Sequence, residues 1–194
     1  AVKMAARIRV ITHIRGRLRA SDGFKRAGTV PASRRWAHCP RLISIGASTG
    51  GPGAVATILR LLPDGYPIPI LLVVHVADGF AVSLAEWLSQ ASRLPVRIAV
   101  DGEPLPEFGC PGVVMAPPDR HLVIRGGRLR CERTPERNFC RPSVDVLFES
   151  AATELRAAVT GCVLTGMGRD GADGLLAIRK AGGLTIAEAE STAV

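Results

Sequence analysis

Aromatic residues are scarce in this sequence. Five Phe, two Trp and one Tyr make up 4% of 194 residues, and there are only three Met, so a core built from this material is aliphatic. Long apolar runs are missing as well: no stretch approaches the roughly 18 consecutive apolar residues of a membrane span, and nothing resembles a signal peptide. The five cysteines (Cys39, Cys110, Cys131, Cys140, Cys162) are odd in number and widely spaced, with no C-x-x-C pair. That argues against a disulfide framework or a zinc site and for free thiols in a reducing compartment, hence a cytoplasmic protein. Acidic charge is lacking only at one end. The net charge is +8, but the whole excess lies in residues 1–41, whose single acid is Asp22. Residues 42–194 are close to balance, so nucleic-acid binding by the globular part has little support.

Hydrophobic residues make up 47% of the chain, ample for one medium α/β domain plus a tail. Residues 1–13 alternate Ala, Ile and Val with Arg and could end a helix. From Ile14 to Pro40, Gly16, Gly23, Gly28, Pro31 and Pro40 interrupt any period, which reads as a solvated linker. A basic arm for nucleic acid is the sharper alternative there, but Phe24 and Trp36 are too far apart to make a stacking surface.

The chain from Leu42 on is organised around Leu42-Ile43-Ser44-Ile45-Gly46-Ala47-Ser48-Thr49-Gly50-Gly51-Pro52-Gly53. Leu42 to Ile45 reads as a buried strand, and Ala54 to Leu62 as a helix. A tight turn between them lifts Ser48, the centre of a G-x-S-x-G pattern, out of the sheet at its carboxyl end. Small flanking residues suit a sharp elbow, and Ser48 is a candidate nucleophile. The same texture also cradles phosphates, or merely turns the chain. A dinucleotide fingerprint fits badly because Ser48 replaces its second glycine, and a P-loop fails because no Gly-Lys-Ser/Thr follows.

Further along, Ile68 to Val76 and Val96 to Val100 read as strands, with an amphipathic helix from Ser83 to Ser92 between them. His121 to Arg125, Gly126-Gly127 and Arg128 to Cys131 read as an antiparallel hairpin, within a stretch of different texture spanning about 112–132. Ser143 is the expected N-cap of a helix through Leu155. Ala157 to Thr165 is another strand, Ala172 to Ala181 a helix, and Leu184 to Ala187 a final strand. The alternation predicts an α/β fold: a doubly wound, mostly parallel sheet with helices on both faces.

Three strands then deliver Ser48, His75 and Asp170 to one edge of the sheet. A hydroxyl, an imidazole and a carboxylate are the set that acyl transfer requires. Each has a plainer reading. A histidine at a strand end is usually structural, and Asp170 could cap the helix beginning at Gly171. His121 is a competing base, although Asp119-Arg120 before it suggest a turn; His13 and His38 lie in the basic leader. The order Ser, His, Asp differs from that of α/β-hydrolases, which disfavours an ordinary lipase or esterase. For the oxyanion of a tetrahedral intermediate, the backbone N–H groups of Thr49, after the nucleophile, and of Met167, in the Gly-rich loop, are the candidates.

Five segments together resemble the effector domain of CheB-type chemotaxis methylesterases: Ile45-Gly46-Ala47-Ser48-Thr49-Gly50-Gly51, Val74-His75 with Gly79-Phe80, Ala116-Pro117 with Asp119-Arg120-His121, Arg141-Pro142-Ser143-Val144-Asp145-Val146-Leu147-Phe148, and Leu164-Thr165-Gly166-Met167-Gly168-Arg169-Asp170-Gly171-Ala172. The resemblance runs from about Leu42 to Val194. It implies hydrolysis of glutamyl methyl esters on the cytoplasmic helices of chemoreceptors, and in some members deamidation of receptor glutamines. It makes Ser48 the nucleophile, His75 the base and Asp170 its orienting acid, and calls for no metal or cofactor. Two departures stand out: His75-Val76-Ala77 where the family often has His-Met-Pro, and Cys140 where a histidine commonly precedes the Arg-Pro. By the same resemblance, residues 1–41 look like the last helix of a receiver domain plus linker. The receiver would then be absent, and residues 42–194 would be a catalytic domain lacking its C-terminal end. The rival classes are a non-catalytic binding module and a phosphate or nucleotide binder using Gly46 to Gly53.

Overall fold

The computed structural model describes residues 40–77, 79–189 and 191–193. The expectations for residues 1–39, the receiver remnant and the basic linker, lie outside the described residues.

The elements are β1 (Leu42–Ala47), α1 (Gly51–Leu61), β2 (Ile70–Val74), α2 (Ala81–Ala91), β3 (Val96–Ile98), β4 (Val113–Met115), β5 (His121–Arg125), β6 (Arg128–Glu132), α3 (Val144–Leu155), β7 (Val159–Val163), α4 (Ala172–Lys180) and β8 (Leu184–Ala187). Six strands form one parallel sheet in the order β3-β4-β2-β1-β7-β8, and β5 with β6 forms the separate antiparallel hairpin. The hairpin therefore occupies 121–132. The preceding Val113–Met115 joins the main sheet, where β4 sits between β2 and β3. All three of its residues are buried, as an inner strand of a parallel sheet requires.

The central strand β2, Ile-Leu-Leu-Val-Val, is buried throughout because both faces of the sheet are covered. Its residues alternate between two cores. Leu71 and Val73 join Leu147, Phe148 and Ala151 of α3 and Ile178 of α4, with Leu122, Ile124 and Leu129 of the hairpin beside them. Ile70, Leu72 and Val74 join Val55 and Leu59 of α1 and Ala85 and Leu88 of α2. This is the period-two alternation of a strand read from both sides.

Helix α1 starts three residues before the sequence pattern suggested. Gly50 takes a left-handed φ of 78° and Pro52 stands in the first helical positions, where its missing N–H leaves no donor unpaired. Helix α2 likewise starts at Ala81. Among the described residues no helix is long and apolar enough to cross a membrane.

The topology positions the site. From β1 the chain winds one way through α1 to β2, and from β7 it winds the other way through α4 to β8. The loops leaving the carboxyl ends of β1 and β7 therefore part onto opposite faces, which opens a crevice between them.

Candidate active site

Backbone hydrogen bonds tie the three loop starts together at that crevice. Ser48 N donates to Thr165 O (3.0 Å), His75 N to Ala47 O (3.0 Å) and Leu164 N to Gly46 O (2.9 Å). Glycine permits the close approach at two positions. A Cβ on Gly46 would overlap the methyls of Val144, and one on Gly166 would lie 2.7 Å from Ser48 Cβ. The Gly-rich loop after β7 is itself held from outside, where Glu188 Oε2 accepts from Thr165 N (2.8 Å).

The crevice holds a cavity of about 90 Å³. Ser48, His75, Met167 and Asp170 all line it, together with Asn138 and Cys140. Thr49 is exposed and is not among the lining residues. His121 stands elsewhere, fully buried, its Nδ1 accepting from Ser143 N (3.1 Å) and its Nε2 3.1 Å from Pro135 O. Both ring nitrogens are thereby occupied, and His121 acts as a strut beneath the start of α3.

Asp170 and His75 form the one direct side-chain pair of the expected three, with Nε2 to Oδ2 at 2.9 Å. The Asp170 carboxylate does not cap its own helix. It reaches across to the N-terminus of α3, accepting from Val144 N (2.6 Å), Asp145 N (3.3 Å) and Ser143 Oγ (2.6 Å). Ser143 fills its expected role as N-cap, its Oγ accepting from Val146 N. Burial by itself would raise the Asp170 carboxyl, but the bonds from His75, Ser143 and the two amides outweigh it and hold the group below the usual carboxylate range. The side chain is only 4% exposed, against 22% for His75. The anion is thus fixed and shielded, while the imidazole reaches the cavity.

The exchange between the helices is mutual. Asp145, in the first turn of α3 and fully buried, accepts from Gly171 N (2.9 Å) and Gly174 N (2.7 Å) at the start of α4. Asn138 Nδ2 spans the two carboxylates, 2.7 Å from Asp145 and 3.4 Å from Asp170. Asn138, which lines the cavity, and Asp145 and Glu188, which brace the loops around it, are residues of the candidate site that sequence reasoning missed. The only signal was an acid at a helical position whose neighbours Val144, Leu147 and Phe148 belong to the core.

With Nε2 committed to Asp170, the nitrogen left to accept a proton is Nδ1. Cys140 Sγ lies 3.8 Å from it, and the sulfur also lies 3.4 Å from Asn138 O. Burial, and then the negative charges of Asp170, Glu136 and Asp145, push the Cys140 thiol up, so it is a poor nucleophile near neutrality. The Ser48 hydroxyl shares the cavity without a hydrogen bond to the imidazole. His75, Cys140 and Asp170 each offer a ligand atom within 4.8 Å of the others, the one cluster among the described residues able to hold a metal ion.

The model of the CheB methylesterase family matches residues 43–194. The chain belongs to that family. It is 45% identical over 192 residues to protein-glutamate methylesterase/protein-glutamine glutaminase 2 of Anaeromyxobacter dehalogenans, covering 98% of this chain and 52% of that protein. It is also 45% identical over 154 residues to protein-glutamate methylesterase/protein-glutamine glutaminase 3 of Pseudomonas aeruginosa, covering 78% and 45%. The chain spans about half the length of the curated relatives it matches. The crystal structure of the Thermotoga maritima CheB methylesterase catalytic domain superimposes with a TM-score of 0.73 at 36% identity, over 80% of this chain and 82% of that one. The doubly wound sheet and its hairpin are those of the CheB catalytic domain.

Proposed function

We propose that residues 42–194 are a serine hydrolase that demethylates glutamyl methyl esters on the cytoplasmic helices of chemoreceptors, with Ser48, His75 and Asp170 as its triad. The observation that carries this reading is the Asp170–His75 pair, which occupies Nε2 and leaves Nδ1 on a ring that lines the same cavity as Ser48. Membership of a family whose relatives are named for this activity supports it.

In the proposed reaction the ester carbonyl lies over Ser48 and the hydroxyl turns toward His75 Nδ1. Catalytic hydrogen bonds of this kind often tighten only once substrate is bound. Nδ1 takes the proton as Oγ attacks the carbonyl carbon, and Asp170 stabilises the imidazolium. The backbone N–H groups of Met167 and Thr49 are the proposed donors to the oxyanion, each worth about 3–4 kcal/mol in the transition state if aligned. The C–O bond to methanol then breaks and the imidazolium protonates the leaving oxygen. Water, deprotonated by Nδ1, hydrolyses the acyl-enzyme and restores Ser48. An amide in place of the ester would release ammonia by the same steps, which is the glutaminase reaction in the relatives' names.

The direct test is methanol release from a methylated chemoreceptor fragment. Release that disappears in Ser48→Ala supports the reading. A folded protein that releases none, or releases as much without Ser48, overturns it in favour of a binding module.

A further inference from the structure

We propose that His75 and Cys140 form a binding site for a soft divalent cation of the zinc type, and that its occupancy switches the hydrolase off. The effect on activity rests on the reading of His75 as the base; the site itself does not.

The two ligand atoms stand near the separation that a shared cation would set. Cys140 Sγ stands 3.8 Å from His75 Nδ1. Tetrahedral zinc with bonds of about 2.3 Å to sulfur and about 2.0–2.1 Å to nitrogen places those atoms roughly 3.5 Å apart. A shift of a few tenths of an ångström closes the difference. Asp170 on Nε2 completes the carboxylate–histidine–metal arrangement, in which the outer carboxylate fixes the tautomer and turns the Nδ1 lone pair to the cation.

Cys140 is presented by a tight turn. Arg137 and Cys140 exchange both backbone hydrogen bonds (3.2 and 2.9 Å), with Asn138 and Phe139 at left-handed φ values of 53° and 60°. The turn thus fixes the Cα–Cβ bond of Cys140 and leaves only χ1 to place the sulfur, which here lies 3.4 Å from Asn138 O. The remaining coordination positions open onto the cavity that Ser48 lines, where water can fill them. One thiolate and one imidazole select zinc-like ions over magnesium or calcium.

The chemistry balances without a redox partner. The Cys140 S–H bond breaks, its proton leaves to solvent, and sulfur and Nδ1 each donate a lone pair to the cation. The lone pair that would deprotonate Ser48 is then in use. At the position where the resemblance expects a histidine, this chain has the softer ligand, beside His75.

Cobalt(II) is the probe for the site, and a serine-directed fluorophosphonate is the probe for activity. Each variant is compared with its own metal-free labelling rate. Wild type and a Cys39→Ser/Cys110→Ser double variant, which removes the exposed thiol and the one outside the described residues, should both show a thiolate-to-cobalt charge-transfer band. In both, zinc should slow labelling by about tenfold or more, reversibly with EDTA. Cys140→Ser should lose the band and the zinc sensitivity together. A band that persists in Cys140→Ser, or its absence from wild type, overturns the proposal. Should Cys140→Ser fail to fold, zinc must shield Cys140 from iodoacetamide in the wild-type protein, mapped by peptide mass spectrometry, and unshielded labelling overturns it. A wild type that the fluorophosphonate never labels, with the cobalt band present, instead sinks the hydrolase reading and leaves the cation site standing.

Discussion

On one face of the sheet, α1 and α2 pack through Val55, Ala56, Leu59, Ala85 and Leu88, and neither helix start carries a side-chain cap. On the other face, α3 and α4 exchange buried carboxylates, Asp170 receiving the first amides of α3 and Asp145 those of α4. The first layer is held by apolar contact, which is strong but does not fix direction. The second has an apolar core of its own, with Leu147, Phe148, Ala151 and Ile178, and adds to it hydrogen bonds aimed at charge, which do. The acid of the candidate triad belongs to the second layer. Ser48, which needs only to be lifted into the crevice, is placed by glycine clearance and by the start of α1.

The comparison implies that damage to the two layers reads out differently. The largest expected effect is on the site itself: Ser48→Ala or His75→Ala should lower ester hydrolysis by about four to six orders of magnitude, as in other triads, with the melting temperature little changed. Next comes Asp145→Ala. It strands Gly171 N and Gly174 N in a buried place, at roughly 1–3 kcal/mol for each unpaired group, and leaves Asn138 Nδ2 only its longer contact with Asp170. Because Asp145 anchors the loop that carries Asp170, turnover per folded molecule should fall as well, measured on enzyme whose folded fraction is known from denaturant titration.

Leu59→Ala, in the apolar layer, should cost about 2–5 kcal/mol of stability and leave turnover per folded molecule near wild type. Equal loss of turnover in Leu59→Ala and Asp145→Ala would erase the distinction between the layers. The smallest effect is at the sheet edge, where Arg97 and Glu103 make a two-point ion pair (2.8 and 2.7 Å) with Arg97 half exposed. Burial alone would raise the Glu103 carboxyl, but its bonds from Arg97 and the Val100 amide hold it below the usual value. The pair therefore contributes at neutral pH and is lost as the pH falls through that lowered value. Glu103→Gln should cost under about 1 kcal/mol at pH 7, with the two stability curves converging in acid.

The order of strands and helices, the sheet's two covered faces and the convergence of Ser48, His75 and Asp170 were legible because each rests on local signals: apolar runs of strand length, Gly-rich turns after them, and polar residues at the turn. What was not legible depends on neighbours distant in sequence. Val113–Met115 is too short to declare its sheet, and only its pairing with β2 and β3 places it. Asp170 looked like a cap for the helix that follows it, whereas it caps α3, because α3 and α4 lie side by side with their N-termini at the same edge. Asp145 and Asn138 carried no motif of their own, since buried polar partners are chosen by three-dimensional proximity. The contact of Cys140 with His75 likewise depends on a turn whose left-handed residues, Asn138 and Phe139, announce no turn type in the sequence.

The central claim is that Asp170 and His75 make Ser48 a nucleophile, and the most direct measurement is the rate of fluorophosphonate labelling with the modified residue mapped by mass spectrometry. In wild type the label should fall on Ser48. The rate should collapse in His75→Ala and drop strongly in Asp170→Asn, which preserves shape but cannot stabilise the imidazolium. Labelling of another residue, or labelling of Ser48 at the wild-type rate in His75→Ala, would contradict the account.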